Sequence, residues 1–294
     1  MSRKTLAVAR PRPRDRRSAL NRCQSHSLYG SLVPMYDNAS GDEHDVHAAI
    51  NISSQSSSTA VLFLHGFTGS PAVFADVARE VASRADVSVS VPKLAGHGTT
   101  WQDMSRTRWQ DWLADAERAL MGCADEHDTV IVVGLSMGGA LALTLAADHP
   151  DLVDRLVLIN PALYVDSPLA PLTPILRHVI KSVPGIGGDI ALPGATEHAY
   201  TQTPVAAVAS LHQELKHLRR RLWQVSAPTT LCISTTDHVV RPRSARLLRN
   251  ALLTSPRVVI LRRSYHVATV DYDADVIVGE IVSTVNTASS VRTS

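Results

Sequence analysis

The sequence predicts an α/β fold, with a mostly parallel central sheet that carries helices on both faces. Three observations predict it. From residue 59 onward, short apolar runs rich in Val, Ile and Leu alternate with segments of helical periodicity. These runs lack the polar alternation of half-exposed strands and are therefore typical of strands buried on both faces. With 294 residues, 45% of them hydrophobic, the chain is long enough to bury such a sheet.

The predicted elements follow one another in a regular order. The predicted strands are 60–64, 87–91, 130–134, 156–159, 229–233 and 258–261. Helical spacing of apolar residues predicts helices over 71–83, 109–121, 137–147, 243–253 and 273–285. Strands that alternate with helices pair in parallel through right-handed crossovers. We therefore expect a core made of residues 51–160 and 226–288.

The segment 161–225 interrupts this alternation. It begins with many Pro and Gly residues, and then Ile175, Leu176 and Val179 recur at helical spacing. A second helix is predicted over 204–223. A long insertion with helices of its own is typical of a functional lid, so we expect 161–225 to form a small helical cap over the site.

The two ends of the chain are predicted to lie outside the core. Residues 1–22 carry eight Lys or Arg and one acid, which is a net charge of +7, and the remaining 21 basic and 26 acidic residues sum to −5. We expect residues 1–50 to form a disordered basic tail and polar leader, and 289–294 to be a disordered tail. Weak attraction of the basic tail to nucleic acid or anionic membranes is the alternative.

Targeting signals and cysteine usage favour a cytoplasmic protein. No apolar run follows Arg16-Arg17, and the three Cys form no CxxC pair. The uncharged stretch 129–147 has the length of a membrane span, but Gly134 and Ser136 interrupt it, so a buried strand, a turn and a helix are predicted instead. We expect no stable membrane anchor and no nucleic-acid partner, and the sequence leaves the oligomeric state open.

A nucleophile motif lies between a strand and a helix. Gly134-Leu135-Ser136-Met137-Gly138 has the form G-x-S-x-G, with a β-branched strand before it and a helix former after it. A Cβ at either glycine would collide with backbone in so sharp a turn. The positive end of the helix that begins at Met137 favours an anion beside the serine. The motif predicts Ser136 as a nucleophile.

A second loop is predicted to face this serine. His65-Gly66-Phe67 follows the strand at 60–64, where a glycine lets the backbone approach the reacting carbonyl. We predict that the backbone N–H groups of Phe67 and Met137 form an oxyanion hole. His65 is predicted to orient this loop rather than to act as a base.

The base and the acid follow from chain order. Nucleophile, acid and base come in that order in folds with this motif. His266 follows the last predicted strand and Asp237 follows the one before it, so His266 is predicted as the base and Asp237 as the acid that orients it. Asp166 is the alternative acid. Asp271 and Asp273 are predicted to interact with the positive end of the last helix.

Other chemistry has little support in the sequence. The acidic and histidine-rich stretch 42–47 fits no standard metal spacing, so we predict a solvated loop and no metal site. No phosphate-binding G-x-x-x-x-G-K-[ST] motif is present.

Together these motifs resemble a known family. His65-Gly66-Phe67-Thr68-Gly69, Gly96-His97-Gly98, Gly134–Gly139, Asp237-His238 and Ser264–Val267 are similar to the bacterial carboxylesterase and monoacylglycerol lipase branch of the α/β-hydrolases. The resemblance covers about residues 58–287, including Tyr200–Pro204 at the end of the cap. It implies an α/β-hydrolase fold, a Ser136, Asp237 and His266 triad, and an oxyanion hole at Phe67 and Met137.

The resemblance also implies a reaction. We expect a serine carboxylesterase that hydrolyses short- to medium-chain esters or monoacylglycerols through an acyl-enzyme, without a cofactor and with a small-molecule ester as its partner. Cap residues are expected to hold the acyl chain or else to pack on the core; they are Leu172, Ile175, Leu176 and Val179. A thioesterase or other hydrolase on the same scaffold, or a ligand receptor that retains the triad, remains an alternative.

Overall fold

A computed structural model describes residues 45–292 of the protein. The basic tail, most of the polar leader and residues 293–294 lie outside the described residues, so the predictions made for them concern a part of the chain that the structure does not describe. Within the described part, the architecture is the expected one: a mostly parallel sheet of seven strands with helices on both faces. The predicted fold class is confirmed.

The elements follow in chain order. The strands are β1 (Ile50–Ile52), β2 (Thr59–Leu64), β3 (Ser88–Val91), β4 (Thr129–Leu135), β5 (Arg155–Ile159), β6 (Ser182–Pro184), β7 (Gln202–Pro204), β8 (Thr229–Ser234) and β9 (Arg257–Leu261). The helices are α1 (Ala75–Ala85), α2 (Trp101–Arg106), α3 (Trp109–Glu126), α4 (Met137–Asp148), α5 (Thr173–Leu176), α6 (Val205–Arg219), α7 (Arg243–Ala251) and α8 (Ala274–Arg292).

The sheet has the strand order β1-β3-β2-β4-β5-β8-β9. All neighbouring pairs are parallel except β1 with β3, which is antiparallel. The carboxyl ends of β2, β4, β8 and β9 therefore meet along one edge of the sheet. This is the edge at which open parallel sheets bind ligands.

Two apolar clusters cover the two faces of the sheet. On one face, Trp112 of α3, Leu141 of α4 and Leu215 of α6 pack against the sheet, and all three are fully buried. On the other face, Phe74 and Ile281 pack against Phe63 of β2. Because β2 and β4 are buried along their whole lengths, they provide a rigid base for the loops that follow them.

Outside the segment 161–225, the structure contains two elements that were not predicted and extends the last helix. β1 and α2 were not predicted, because three residues of one and six of the other are too short to show periodicity. At the other end, α8 continues to Arg292, past the predicted boundary at residue 288. Ala288 is still part of the apolar cluster on this face of the sheet, and no Gly or Pro follows it before Arg292, so the helix continues past residue 288.

The segment 161–225 is less helical than predicted. The run around Ile175 forms only the single turn α5, and then the chain enters the two-stranded antiparallel sheet of β6 and β7. The predicted second helix ends at Arg219 and is followed by a short 3₁₀ turn at Leu222–Gln224. Pairing of β6 with β7 decides the conformation here, and this pairing lies outside the reach of local periodicity.

Candidate active site

Ser136 lies between β4 and α4 in a strained conformation. Its φ of 54° lies in the left-handed region that residues other than glycine rarely adopt. A Cβ at Gly138 would lie 1.8 Å from the Leu64 carbonyl oxygen, and one at Gly134 would lie 2.4 Å from the Gly138 carbonyl oxygen. The predicted role of both glycines is confirmed, because only residues without a Cβ allow β2, β4 and α4 to meet around this serine.

The loop after β2 packs directly against Ser136. A Cβ built at Gly66 would lie 3.5 Å from the Ser136 Cβ, so the loop backbone lies at van der Waals distance from the serine. Phe67, Ser136 and Met137 all line one cavity of about 720 Å³. The two residues predicted to form the oxyanion hole are therefore brought to the same cavity as the serine, one from each side.

His65 supports this loop from beneath. It is fully buried, its Nε2 accepts a hydrogen bond from Leu94 N at 3.3 Å, and its Nδ1 lies 3.0 Å from the Gly66 carbonyl oxygen. A carbonyl can only accept and a backbone N–H can only donate, so the ring is neutral with its proton on Nδ1. Burial lowers the pKa of His65 to about 4, which keeps it neutral at pH 7.

Asp237 and His266 form a buried pair across the ends of β8 and β9. His266 Nδ1 lies 2.8 Å from Asp237 Oδ2, and the two side chains are 8% and 7% exposed. The other oxygen, Asp237 Oδ1, accepts from Val239 N at 2.9 Å and Val240 N at 2.7 Å. The carboxylate is thereby held in one orientation, with Nε2 of His266 left for the cavity side.

His266 and Ser136 line the same small cavity. Its volume is about 40 Å³, and Gly66 and Phe67 contribute to its wall. The alternative acid, Asp166, is engaged elsewhere: its Oδ1 lies 2.6 Å from Arg243 Nη2, and its Oδ2 accepts from Arg241 N at 2.9 Å. In this arrangement Asp166 does not contact His266.

A buried glutamate also lines the small cavity, and the sequence analysis missed it. Glu197 is 8% exposed and faces the cavity together with Ser136 and His266. Burial raises its pKa, whereas the Gly188 N–H and the charge of His266 act in the opposite direction. No local pattern in the sequence points to Glu197, because it follows a glycine-rich stretch of the cap without helix or strand periodicity.

Asn160, at the end of β5, was missed as well. Its Nδ2 donates to the His266 carbonyl oxygen at 2.8 Å, and its Oδ1 accepts from Ser234 N at 2.8 Å. Its φ of 42° is left-handed, a conformation that Asn tolerates better than most residues. An Asn before a Pro at a strand end is the one local signal that could have marked this position.

Asp271 and Asp273 do more than interact with a helix end. Asp271 is 3% exposed and accepts from Tyr265 N at 3.0 Å and Ala191 N at 2.7 Å. Asp273 accepts from Arg263 N at 2.8 Å and Ser264 N at 2.9 Å. Both residues directly precede the last helix, and their carboxylates also bind backbone N–H groups elsewhere: those of Asp273 lie in the loop that carries His266, and those of Asp271 lie in that loop and in the cap.

The predicted acyl pocket is also revised. Of its four residues, Leu176 lines the cavity of about 720 Å³, whereas Leu172, Ile175 and Val179 are 49%, 71% and 78% exposed. The helix α5 is a single turn, and these three exposed side chains do not line the cavity. Apolar residues of the segment 161–225 that line the cavity with Leu176 include Leu169, Ile180, Val183, Val205, Val208 and Leu211.

Two further features of the described residues bear on the possible chemistry. Between residues 45 and 292, no group of three or more His, Cys, Asp or Glu side chains is arranged to hold a metal ion. In the same part of the chain, no helix is both long and apolar enough to cross a membrane.

Comparison with known proteins places this geometry in a family. Residues 55–273 match the family described as serine aminopeptidase, S33. The chain is 37% identical over 219 residues to a thermostable monoacylglycerol lipase of Bacillus sp. (strain H-257), which covers 74% of this chain and 86% of the relative. It is 23% identical over 220 residues to a carboxylesterase of Bacillus subtilis (strain 168), covering 74% and 88%.

Solved structures agree with these sequence relatives. A structure from work on LipS and LipT, two metagenome-derived lipolytic enzymes, superimposes with a TM-score of 0.78 at 33% identity, covering 82% of this chain and 98% of the other. The monoacylglycerol lipase of Paleococcus ferrophilus has a TM-score of 0.70 at 15% identity, covering 82% and 98%, and shows the same fold. The chain therefore belongs to the serine aminopeptidase S33 family of α/β-hydrolases, and the resemblance inferred from its motifs is confirmed.

Proposed function

We propose that the protein is a serine carboxylesterase that hydrolyses short- to medium-chain carboxylic esters or monoacylglycerols through an acyl-enzyme. The observation that carries the proposal is the buried contact between His266 Nδ1 and Asp237 Oδ2 at 2.8 Å. His266 lines the same small cavity as Ser136. The names of the relatives, a monoacylglycerol lipase and a carboxylesterase, support the same class of substrate.

The proposed reaction has two halves. His266 takes the proton of the Ser136 hydroxyl, and the serine oxygen attacks the acyl carbon. The N–H groups of Phe67 and Met137 stabilise the oxyanion that forms, and His266 then gives its proton to the departing alcohol. In the second half, His266 activates a water molecule that releases the acid and restores Ser136. Asp237 holds the imidazole in the correct tautomer and stabilises its charged form.

The two cavities suit the two ends of such a substrate. The larger one is lined mainly by apolar side chains of the cap, which matches an acyl chain. The smaller one has the Glu197 carboxyl in its wall, and a carboxyl group can hydrogen-bond the free hydroxyls of a glycerol leaving group. This division favours glyceryl esters over esters of simple alcohols.

The test is a p-nitrophenyl ester series from acetate to decanoate, with Ser136→Ala as the control for the nucleophile. We expect wild-type turnover with a chain-length optimum and loss of about 10³-fold or more in Ser136→Ala. A wild-type protein that cleaves no ester, or a Ser136→Ala variant as active as wild type, would refute the proposal. A flat chain-length profile would refute the acyl pocket alone.

The choice of acid is tested by a matched pair of variants. Asp237→Asn is expected to lower kcat/KM by about 10³–10⁴-fold, because the amide cannot fix the required tautomer of His266. Asp166→Asn is expected to leave kcat/KM nearly unchanged, because Asp166 contacts Arg243 instead. The opposite ranking would assign the acid to Asp166.

Two related functions use the same residues, and substrate comparison separates them. A thioesterase would prefer acyl thioesters over oxygen esters of the same chain length. A ligand receptor would react with a fluorophosphonate at Ser136 but turn over no ester.

Cys123 and Cys232 are both buried and unpaired, which supports the further proposal of a reducing, cytoplasmic location.

A further inference from the structure

Asp189 of the cap contacts the loops of both the proposed base and the proposed acid. Its Oδ2 accepts from the backbone N–H of His266 at 3.2 Å and from the backbone N–H of His238 at 3.0 Å. Its Oδ1 lies 2.7 Å from His238 Nδ1, and the Asp189 side chain is 14% exposed. One partly buried carboxylate therefore bridges the loop after β8 and the loop after β9.

The backbone around Asp189 is held in place independently. Its own carbonyl oxygen accepts from Val267 N at 3.1 Å. Two residues further on, the Asp271 carboxylate accepts from Ala191 N at 2.7 Å and Leu192 N at 2.9 Å, while it also accepts from Tyr265 N. Cap residues 189–192 and the loop 265–267 are thus joined by hydrogen bonds to two carboxylates, Asp189 and Asp271.

This bridge complements the contact between Asp237 and His266. Asp237 orients the imidazole through Nδ1, and Asn160 binds the carbonyl oxygen of His266, but neither side chain holds the backbone N–H of His266. Asp189 binds the backbone of His266 itself and of His238, the residue after the acid. It therefore sets the separation of the two loops, and displacement of a catalytic group by about 1 Å can cost about 100-fold in rate.

We propose that Asp189 is a positioning residue for the base: it holds the His266 backbone at the distance from Ser136 and Asp237 that proton transfer requires. The inference rests on the proposed function. It means that the cap, through Asp189, positions the base for proton transfer in addition to covering the cavity.

The test compares Asp189→Ala with Gln202→Ala. Gln202 is in the same cap, and its Oε1 accepts from Ser182 Oγ at 3.1 Å, so its loss weakens the cap hairpin without touching either loop. Each protein is assayed on p-nitrophenyl butyrate and on glyceryl monobutyrate. Nitrophenolate leaves without a proton, whereas glycerol must receive one from His266. A displaced base therefore harms glyceryl ester hydrolysis more.

We expect Asp189→Ala to lower kcat/KM by about 100-fold for the glyceryl ester and about 10-fold for the nitrophenyl ester, mainly through kcat. Gln202→Ala should change both by equal, small factors. Asp189→Asn keeps an oxygen that can accept a backbone N–H and should recover most of the loss; it also keeps the test valid if Asp189→Ala does not fold. Equal losses on both esters, or no recovery in Asp189→Asn, would overturn the inference.

A second measurement does not depend on catalysis. Amide hydrogen exchange in the peptide that contains Tyr265–Val267 should accelerate about 10-fold or more in Asp189→Ala and remain at the wild-type rate in Gln202→Ala. Unchanged exchange would overturn the inference even if activity fell. If wild-type protein hydrolysed no ester, the proposed function would fail, while this exchange result would still decide whether Asp189 holds the His266 backbone.

Discussion

Replacement of Asn160 by Ala tests how firmly the base loop is attached to the sheet. The Asn160 side chain bonds two buried backbone groups, the His266 carbonyl and the Ser234 N–H, both at 2.8 Å. It also donates to Ser234 Oγ at 2.9 Å. The variant leaves the two backbone groups without these partners in a buried region.

The expected cost follows from these contacts. A buried polar backbone group that loses its partner costs about 1–3 kcal/mol, so two such groups cost about 2–6 kcal/mol. The left-handed φ of 42° adds about 1 kcal/mol, because Ala tolerates that conformation less well than Asn. We expect Asn160→Ala to lower the free energy of unfolding by about 4 kcal/mol, a large part of the 5–15 kcal/mol that is typical of folded proteins.

Urea unfolding followed by tryptophan fluorescence measures this change. Asn51→Ala is the matched control, because Asn51 is exposed on β1 and only accepts from Ser90 Oγ at 3.1 Å, so its loss should change stability by no more than about 0.5 kcal/mol. For a folded region of about 250 residues, a loss of 4 kcal/mol corresponds to a melting temperature lower by about 8–16 °C. A loss below about 1 kcal/mol at an unchanged m-value would refute the reasoning.

Three further predictions concern other parts of the fold. Burial lowers the folded-state pKa of His65 to about 4 and of His97 to about 3, whereas both titrate near 6.5 in the unfolded chain. The unfolded state therefore binds more protons below pH 6.5, and stability falls as the pH falls, by about 2 kcal/mol per histidine between pH 7 and pH 5. His97→Phe should remove half of that fall in urea titrations at the two pH values, and an unchanged fall would contradict the assignment. Gly138→Ala should abolish soluble, folded protein, because the added Cβ would lie 1.8 Å from a backbone oxygen; Gly122→Ala, with nothing within 4 Å, should be stabilised by up to about 1 kcal/mol. A folded Gly138→Ala protein by circular dichroism would mean that the strand and the helix can separate. Tyr200→Phe removes a hydroxyl that donates to the Gly96 carbonyl at 2.8 Å, and thermal unfolding should show a loss of about 1–2 kcal/mol; no loss would mean that the hydroxyl bond contributes nothing net.

The sequence by itself predicted six of the seven strands of the central sheet, their order along the chain and the candidate triad. β2 and β4 are nearly continuous apolar runs, which is the composition typical of strands buried on both faces. Ser136 could be predicted because so tight a turn requires glycine at positions 134 and 138. The conformation of the backbone is therefore visible in the sequence as two glycines around the serine. Asp237 and His266 followed from chain order, since parallel strands bring their carboxyl ends to one edge.

Only the tertiary structure decided the conformation of the cap and the residues that hold the site together. The run at Ile175 has helical spacing, yet pairing of β6 with β7 ends the helix after one turn. Three side chains hold backbone groups that are distant in the sequence: Asp189 and Asn160 bind His266, and Asp271 binds Ala191. In each case more than about 75 residues separate the side chain from the backbone group. A backbone N–H or carbonyl is the same at every position of a sequence, so its need for a partner becomes visible only when the fold buries it.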